Sequence, residues 1–376
     1  MTKYYLFVFC CSVVFCNCRE TKQNFTIPEI EADITSSAEL NLSKYFENFR
    51  ILKLSTDKPM GEIQRIRCEN NNIYISDSKT LFIFSDDGEL MSFFNKVGRG
   101  PGEYTSITDF AVNGENITIL NRSLRKLFIY NHSGECISTH DVGCWAQAIS
   151  PTIKHSYFLY CGNEYSDNEQ HKLRRMQNGK EDSRYLPIDE NQAKYLNISS
   201  LHNFYQHQDT IYFFETFSDI VYASIGDGLN PSFSINYKGR NIPSSFFKNK
   251  YANVAEFFME FHKTSYAYGV LSFAVNDHFL MFNSYYLKNM KLTIFDRISR
   301  ISSTYATIKD DIYFSGLTIP VAEFPFHVDK HIFVPLNGFD VVEWKKSYSP
   351  KEQFKEMLNN AKETDNPLLL MFDFRQ

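Results

Sequence analysis

The chain has 376 residues, of which 43% are hydrophobic and 22% charged, and it carries a formal net charge of −5. That balance excludes a disordered or collagenous chain, and the length suffices for a large core. Mild acidity without a concentrated Lys/Arg footprint argues against nucleic acid as a partner, because binding a phosphate backbone requires displacing its condensed counterions.

At the amino terminus, Lys3 precedes an apolar run from Tyr4 to Phe15, too short to cross about 30 Å of hydrocarbon. Residues 1–17 are predicted to be a signal peptide. Cys16, Asn17 and Cys18, followed by the polar stretch Arg19 to Gln23, resemble a bacterial lipoprotein leader cleaved before a lipidated cysteine, with Cys18 as the acylated residue. A plain secretory signal is the alternative. Acylation contributes about 0.8 kcal/mol per buried methylene, so several chains on Cys18 would hold the protein on a membrane without a spanning helix. Residues 18–44 carry scattered Ser, Thr, Glu and Asn with little periodicity and are predicted to be the lipidated cysteine and a polar tether.

From residue 45 onward, short runs rich in Ile, Phe, Tyr and Val alternate with Asp, Asn and Gly turns at about ten-residue spacing, which is an all-β pattern. Ile73 to Asp77, Leu81 to Phe84 and the turn Asp86-Asp87-Gly88 recur as Ile117 to Asn121, Leu127 to Tyr130 and Asn131 to Gly134. Fainter copies lie at Ser156 to Tyr185, Thr210 to Tyr222, Phe279 to Phe295 and His331 to Val334. A repeat of about 45 residues with four short strands is the signature of a β-propeller, whose blades bury both faces against their neighbours. Residues 45–376 accommodate six blades, so the predicted fold is a six-bladed β-propeller.

Such a ring needs a closure that leaves no open edge. Phe49 to Leu54 and Leu368 to Phe374 are both strand-like and are predicted to complete one blade together. Two helices interrupt the pattern. Asn253 with Glu256 begins one, with Phe257, Phe258 and Phe261 on its apolar face. Ser349-Pro350-Lys351-Glu352 reads as a capping box for a second, with Phe354, Met357, Leu358 and Ala361 on one stripe.

Beyond the leader, Cys68, Cys136, Cys144 and Cys161 remain, to be read as buried thiols or, in an exported chain, as containing a disulfide. The sequence has no C-x-x-C zinc spacing, G-x-S-x-G elbow, H-E-x-x-H or phosphate-cradling Gly loop. His327 and His331 have metal-ligand spacing, but strand-like flanks make Val328 to Lys330 a hairpin turn. Asp86-Asp87 and Asp310-Asp311 are ordinary turn chemistry. No metal or other cofactor is expected.

Gly98-Arg99-Gly100-Pro101-Gly102-Glu103-Tyr104 resembles the GxGPGE(F/Y) segment of the six-bladed β-propeller lipoproteins of Bacteroidetes, related in style to NHL-repeat propellers. The ending Asp365-Asn366-Pro367 with Leu368 to Leu370 is similar to the closing strand of that family. The resemblance implies a cell-envelope location, with the lipid anchor in the outer membrane, and little about activity. Physically, the glycines and Pro101 let the chain turn sharply between blades. The same loop suggests a ligand site near the channel, with Arg99 as a carboxylate or phosphate fork, Glu103 beside it and Tyr104 as a platform for a ring. Arg122 and Trp145 are further ligand-binding candidates, against the simpler readings of a solvated turn and a core residue. The expected function is therefore a noncatalytic envelope binding protein whose partner is a glycan, a peptide or an envelope protein. The alternatives are a propeller hydrolase or lyase with an axial divalent metal, and a structural component of an envelope complex.

Overall fold

A computed structural model describes residues 27–152, 156–166, 170–196, 198, 202–225, 228–321, 326–328 and 331–375. Cys18 and the whole predicted leader therefore lie outside the described residues. The described strands form seven sheets, six of four or five strands and one of three, and the protein is a seven-bladed β-propeller.

Blade one comprises Arg65–Glu69, Asn72–Ser76, Leu81–Ser85 and Leu90–Phe94. Blade two runs from Asp109–Asn113 through Asn116–Asn121 and Lys126–Asn131 to Cys136–Asp141. Blade three contains Ala148–Pro151, Ser156–Tyr160, His171–Gln177 and Lys180–Pro187, and blade four Phe204–His207, Thr210–Phe213, Ile220–Ile225 and Asn230–Asn236. In blade five, Ala267–Tyr268 and Phe273–Val275 both pair with Phe279–Tyr286, which is followed by Asn289–Asp296 and Ile301–Tyr305. Within each of the first four blades, successive strands are antiparallel and pair with their sequence neighbours.

Six blades were expected, and the correction comes from the sheet missing from that count. It joins Thr307–Lys309 and Thr318–Pro320 with Glu39–Asn41 from the chain's beginning. Three-residue strands are too short to show a period of two, and one strand arrives from far upstream, so this blade leaves no trace in the 45-residue repeat. The last blade closes the ring as expected. Phe326–Val328, His331–Leu336 and Leu368–Phe374 are completed by Phe46–Lys53, with Leu370 opposite Ile51. His327 and His331 thus sit on the two arms of a hairpin.

The predicted polar tether also needs correction. From Ile27 onward the segment is docked on the ring: Glu29–Glu31 runs parallel to the outer strand of blade four, and Glu39–Asn41 parallel to Thr307–Lys309. Ile30, Ala32, Ile34, Leu40 and Leu42 are buried. Their alternation with Glu31, Asp33 and Thr35 is the half-buried strand signal on a small scale.

Blade faces pack through interleaved aromatic and β-branched side chains. Between blades one and two, Tyr74, Ile83, Phe110, Ile119 and Phe128 form one continuous apolar layer. Between blades four and five the chain inserts helix Val254–Phe261, capped by the Asn253 side chain accepting from the Glu256 N–H at 3.0 Å. The second expected helix starts later than its motif. Ser349 is no cap, Glu352–Phe354 is a 3-10 turn, and the α-helix covers Lys355–Asn360. A longer helix, Gly338–Ser347, lies ahead of it and was not anticipated.

Candidate functional site

Blade topology fixes which loops share a face. In an antiparallel four-stranded blade, the crossover to the next blade and the turn between strands two and three emerge on one side, and the other two turns emerge on the opposite side. Arg99, Glu103, Tyr104, Arg122 and Trp145 all fall on the first side, the crossover face.

There the predicted loop is built chiefly from its own contacts. The Glu103 carboxylate accepts from the Gly100 N–H at 2.7 Å and lies so close to Gly98 that a Cβ there would collide with it. Gly102 has φ +72°, and a Cβ there would come within 2.9 Å of the Cys136 Cβ. Tyr104 is fully buried. Its hydroxyl donates to the Lys79 carbonyl at 2.9 Å and accepts from the Lys96 N–H at 3.2 Å, and burial pushes its pKa up to about 12. A ring in that position meets Phe128 and Tyr130 edge to face and offers no platform to a ligand. Arg99 is exposed and does not converge with Tyr104.

Arg122 and Trp145 do come together. Arg122 pairs with Glu164, and its Nε donates to the Trp145 carbonyl at 3.3 Å. The Arg125 guanidinium lies 5.2 Å from the centroid of the Trp145 ring. Trp145 keeps 39% of its surface exposed, so it is neither core nor free of partners.

The axis carries a second constellation, which the sequence reading missed. Asp109, 2% exposed, opens the inner strand of blade two. Its Oδ1 accepts from Arg67 at 3.0 Å and lies 3.2 Å from the Arg65 Nε, both from blade one, while Oδ2 accepts from the Ile149 N–H of blade three at 3.0 Å. One carboxylate thus ties three inner strands together. Burial draws the Arg65 guanidinium pKa below its ordinary value, and the charge of Asp109 opposes that shift. Removing a buried pair's anion leaves the cations without compensation, so Asp109 serves as a structural hub.

Further along the inner strands, towards the face opposite the crossovers, the channel opens into a cavity of about 420 Å³. Its walls come from blades one to four and include Arg67, Glu69, Asn113, Thr152, Gln206 and Gln208. Glu69 Oε1 accepts from the Gly114 N–H at 2.9 Å, whereas Glu69 Oε2 is buried without a hydrogen-bond partner. Gln206 is exposed to the cavity, with its amide donating to the Gln208 carbonyl at 3.2 Å. Among the described residues, no three His, Cys, Asp or Glu side chains converge to hold a metal ion.

A propeller ring with an axial cavity of mixed polar and apolar lining is thereby defined. The model of the family DUF4934, a domain of unknown function, matches residues 25–373, and the chain belongs to that family. No curated protein matches it. The crystal structure of a candidate exported protein of Bacteroides fragilis is 18% identical and superposes with a TM-score of 0.75 over 93% of this chain and 100% of that one. A member of the DUF4221 family from Bacteroides vulgatus is 9% identical, with a TM-score of 0.50 over 88% of this chain and 98% of that one. At such identities the likeness is one of fold.

Proposed function

We propose that the protein is a noncatalytic binding protein of the cell envelope, with a glycan or peptide seated in the axial cavity and Cys18 as its lipid anchor. The observation that carries this reading is the axial cavity of about 420 Å³, whose wall sets Arg67, Asn113, Thr152, Gln206 and Gln208 among apolar residues such as Val112, Ile149 and Phe204. Neutral amides interleaved with apolar surface suit ligands rich in donors and acceptors but low in net charge, which describes sugars and peptide backbones. Export is favoured by the leader-like start and by the fold shared with the candidate exported protein of Bacteroides fragilis.

A glycan and peptide array probed with the purified chain tests the site. A hit whose affinity falls at least tenfold in Gln206→Ala, with an unchanged thermal midpoint, supports it; a hit indifferent to Gln206 and Glu69 sinks it. The anchor has a separate test. Cys18→Ser should move the protein from the membrane fraction to the soluble fraction, and unaltered partitioning would refute acylation there.

A further inference from the structure

Cys144 and Cys161 are both completely buried, and their sulfurs lie 2.7 Å apart. Neither position is free to drift. Cys144 sits on the crossover into blade three, where the Gln147 N–H three residues on donates to the Tyr160 carbonyl at 2.7 Å. Cys161 follows Tyr160 directly, and its own N–H donates to the Lys172 carbonyl at 2.7 Å. Ala111, Leu127, Val142, Leu159 and Met176 wall the pair with apolar surface. Arg174, 3% exposed, lies near both sulfurs; burial works to lower its pKa, but Cys144, Cys161 and Glu181 hold it above the ordinary value.

We propose that Cys144 and Cys161 form a disulfide that latches the crossover to blade three and thereby fixes Trp145, its immediate neighbour, on the crossover face. In the cell this rests on the exported reading above, because a reducing cytosol keeps such pairs as thiols. The oxidant is itself a disulfide, either of a protein or of glutathione. One cysteine, as its thiolate, attacks it to give a mixed disulfide and releases one thiol. The second cysteine sulfur then displaces the other. Two S–H bonds are lost and one S–S bond forms in the protein, while the oxidant's S–S bond becomes two thiols that take up the two protons. Because both sulfurs are sealed in the finished fold, exchange takes place before the crossover packs down.

The pairing has a direct readout. The full chain is alkylated while denatured and unreduced, then cleaved with trypsin, which yields residues 127–154 and 155–172 as separate peptides. The bond predicts a linked species two hydrogen masses below their sum, retained in Cys136→Ser and lost in both Cys144→Ser and Cys161→Ser. Two sources are compared: protein exported by its own leader, and protein made in the cytoplasm and refolded in oxidised glutathione. Linkage in both supports the proposal. Linkage only after glutathione supports the pairing and overturns export instead. No linkage in either, or linkage through Cys68 or Cys136, overturns the pairing. As a second measurement, reductant should lower the thermal midpoint of the wild type by on the order of 5 °C and leave the double Cys144→Ser, Cys161→Ser variant unchanged; equal shifts in both would also overturn it.

Discussion

Two regions of the ring carry conspicuous polar chemistry, and they use it in opposite ways. The crossover Gly98 to Tyr104 turns its polar groups inward: Glu103 closes on Gly100, and Tyr104 Oη bridges two backbone groups. The axial cavity leaves polar groups facing open space, with Gln206 and Gln208 both exposed on its wall. A distinctive motif can therefore be a folding device, while a binding surface can be assembled from residues that look ordinary one strand at a time.

If that contrast holds, substitutions in the first region should cost stability and those in the second should cost binding. The largest effects belong to groups that hold blades together. Tyr104→Ala empties a buried aromatic site and strands two backbone partners, so equilibrium denaturation should show a loss of about 3–5 kcal/mol. Asp109→Ala should lose a similar amount, about 3–5 kcal/mol, by leaving Arg65 and Arg67 facing each other without their anion. A variant nearly as stable as wild type would mean that the three inner strands are not tied at that carboxylate. Glu103→Ala comes next, at about 1–2 kcal/mol for the loop's charge-assisted hydrogen bond, with ligand affinity unaltered. Reduced affinity at full stability would reverse the assignment and return the loop to the binding surface. Smallest is Trp145→Ala, a partly exposed ring, for which a change within about 0.5 kcal/mol is expected.

The parts of this architecture legible in the sequence are those whose signal is local and repeated. Ile73 to Asp77 and its copy at Ile117 to Asn121 mark the second strands of blades one and two, and the terminal strand Leu368–Phe374 is recognisable from its apolar run and its need for a partner. Helix Val254–Phe261 was legible because its cap is contiguous with it. The three-stranded blade was not, since Glu39–Asn41 acquires its meaning only from Thr307–Lys309 across the ring. The docked amino-terminal segment did carry a signal, the alternation Ile30, Ala32, Ile34, which a polar average conceals. At the axis, Arg65 and Asp109 occupy positions one repeat apart, so aligning the repeats would have set opposite charges side by side. The cavity itself, drawn from four inner strands, has no counterpart in any single stretch of sequence.

The parallel strand Glu29–Glu31 has a mechanical consequence. Because it lies alongside the outer strand of blade four, with Ile30 opposite Ile235, tension applied at Ile27 loads its hydrogen bonds in shear, all at once, instead of peeling them singly. A tug from that end would meet a short, stiff seam on the rim before any force reached the closing blade.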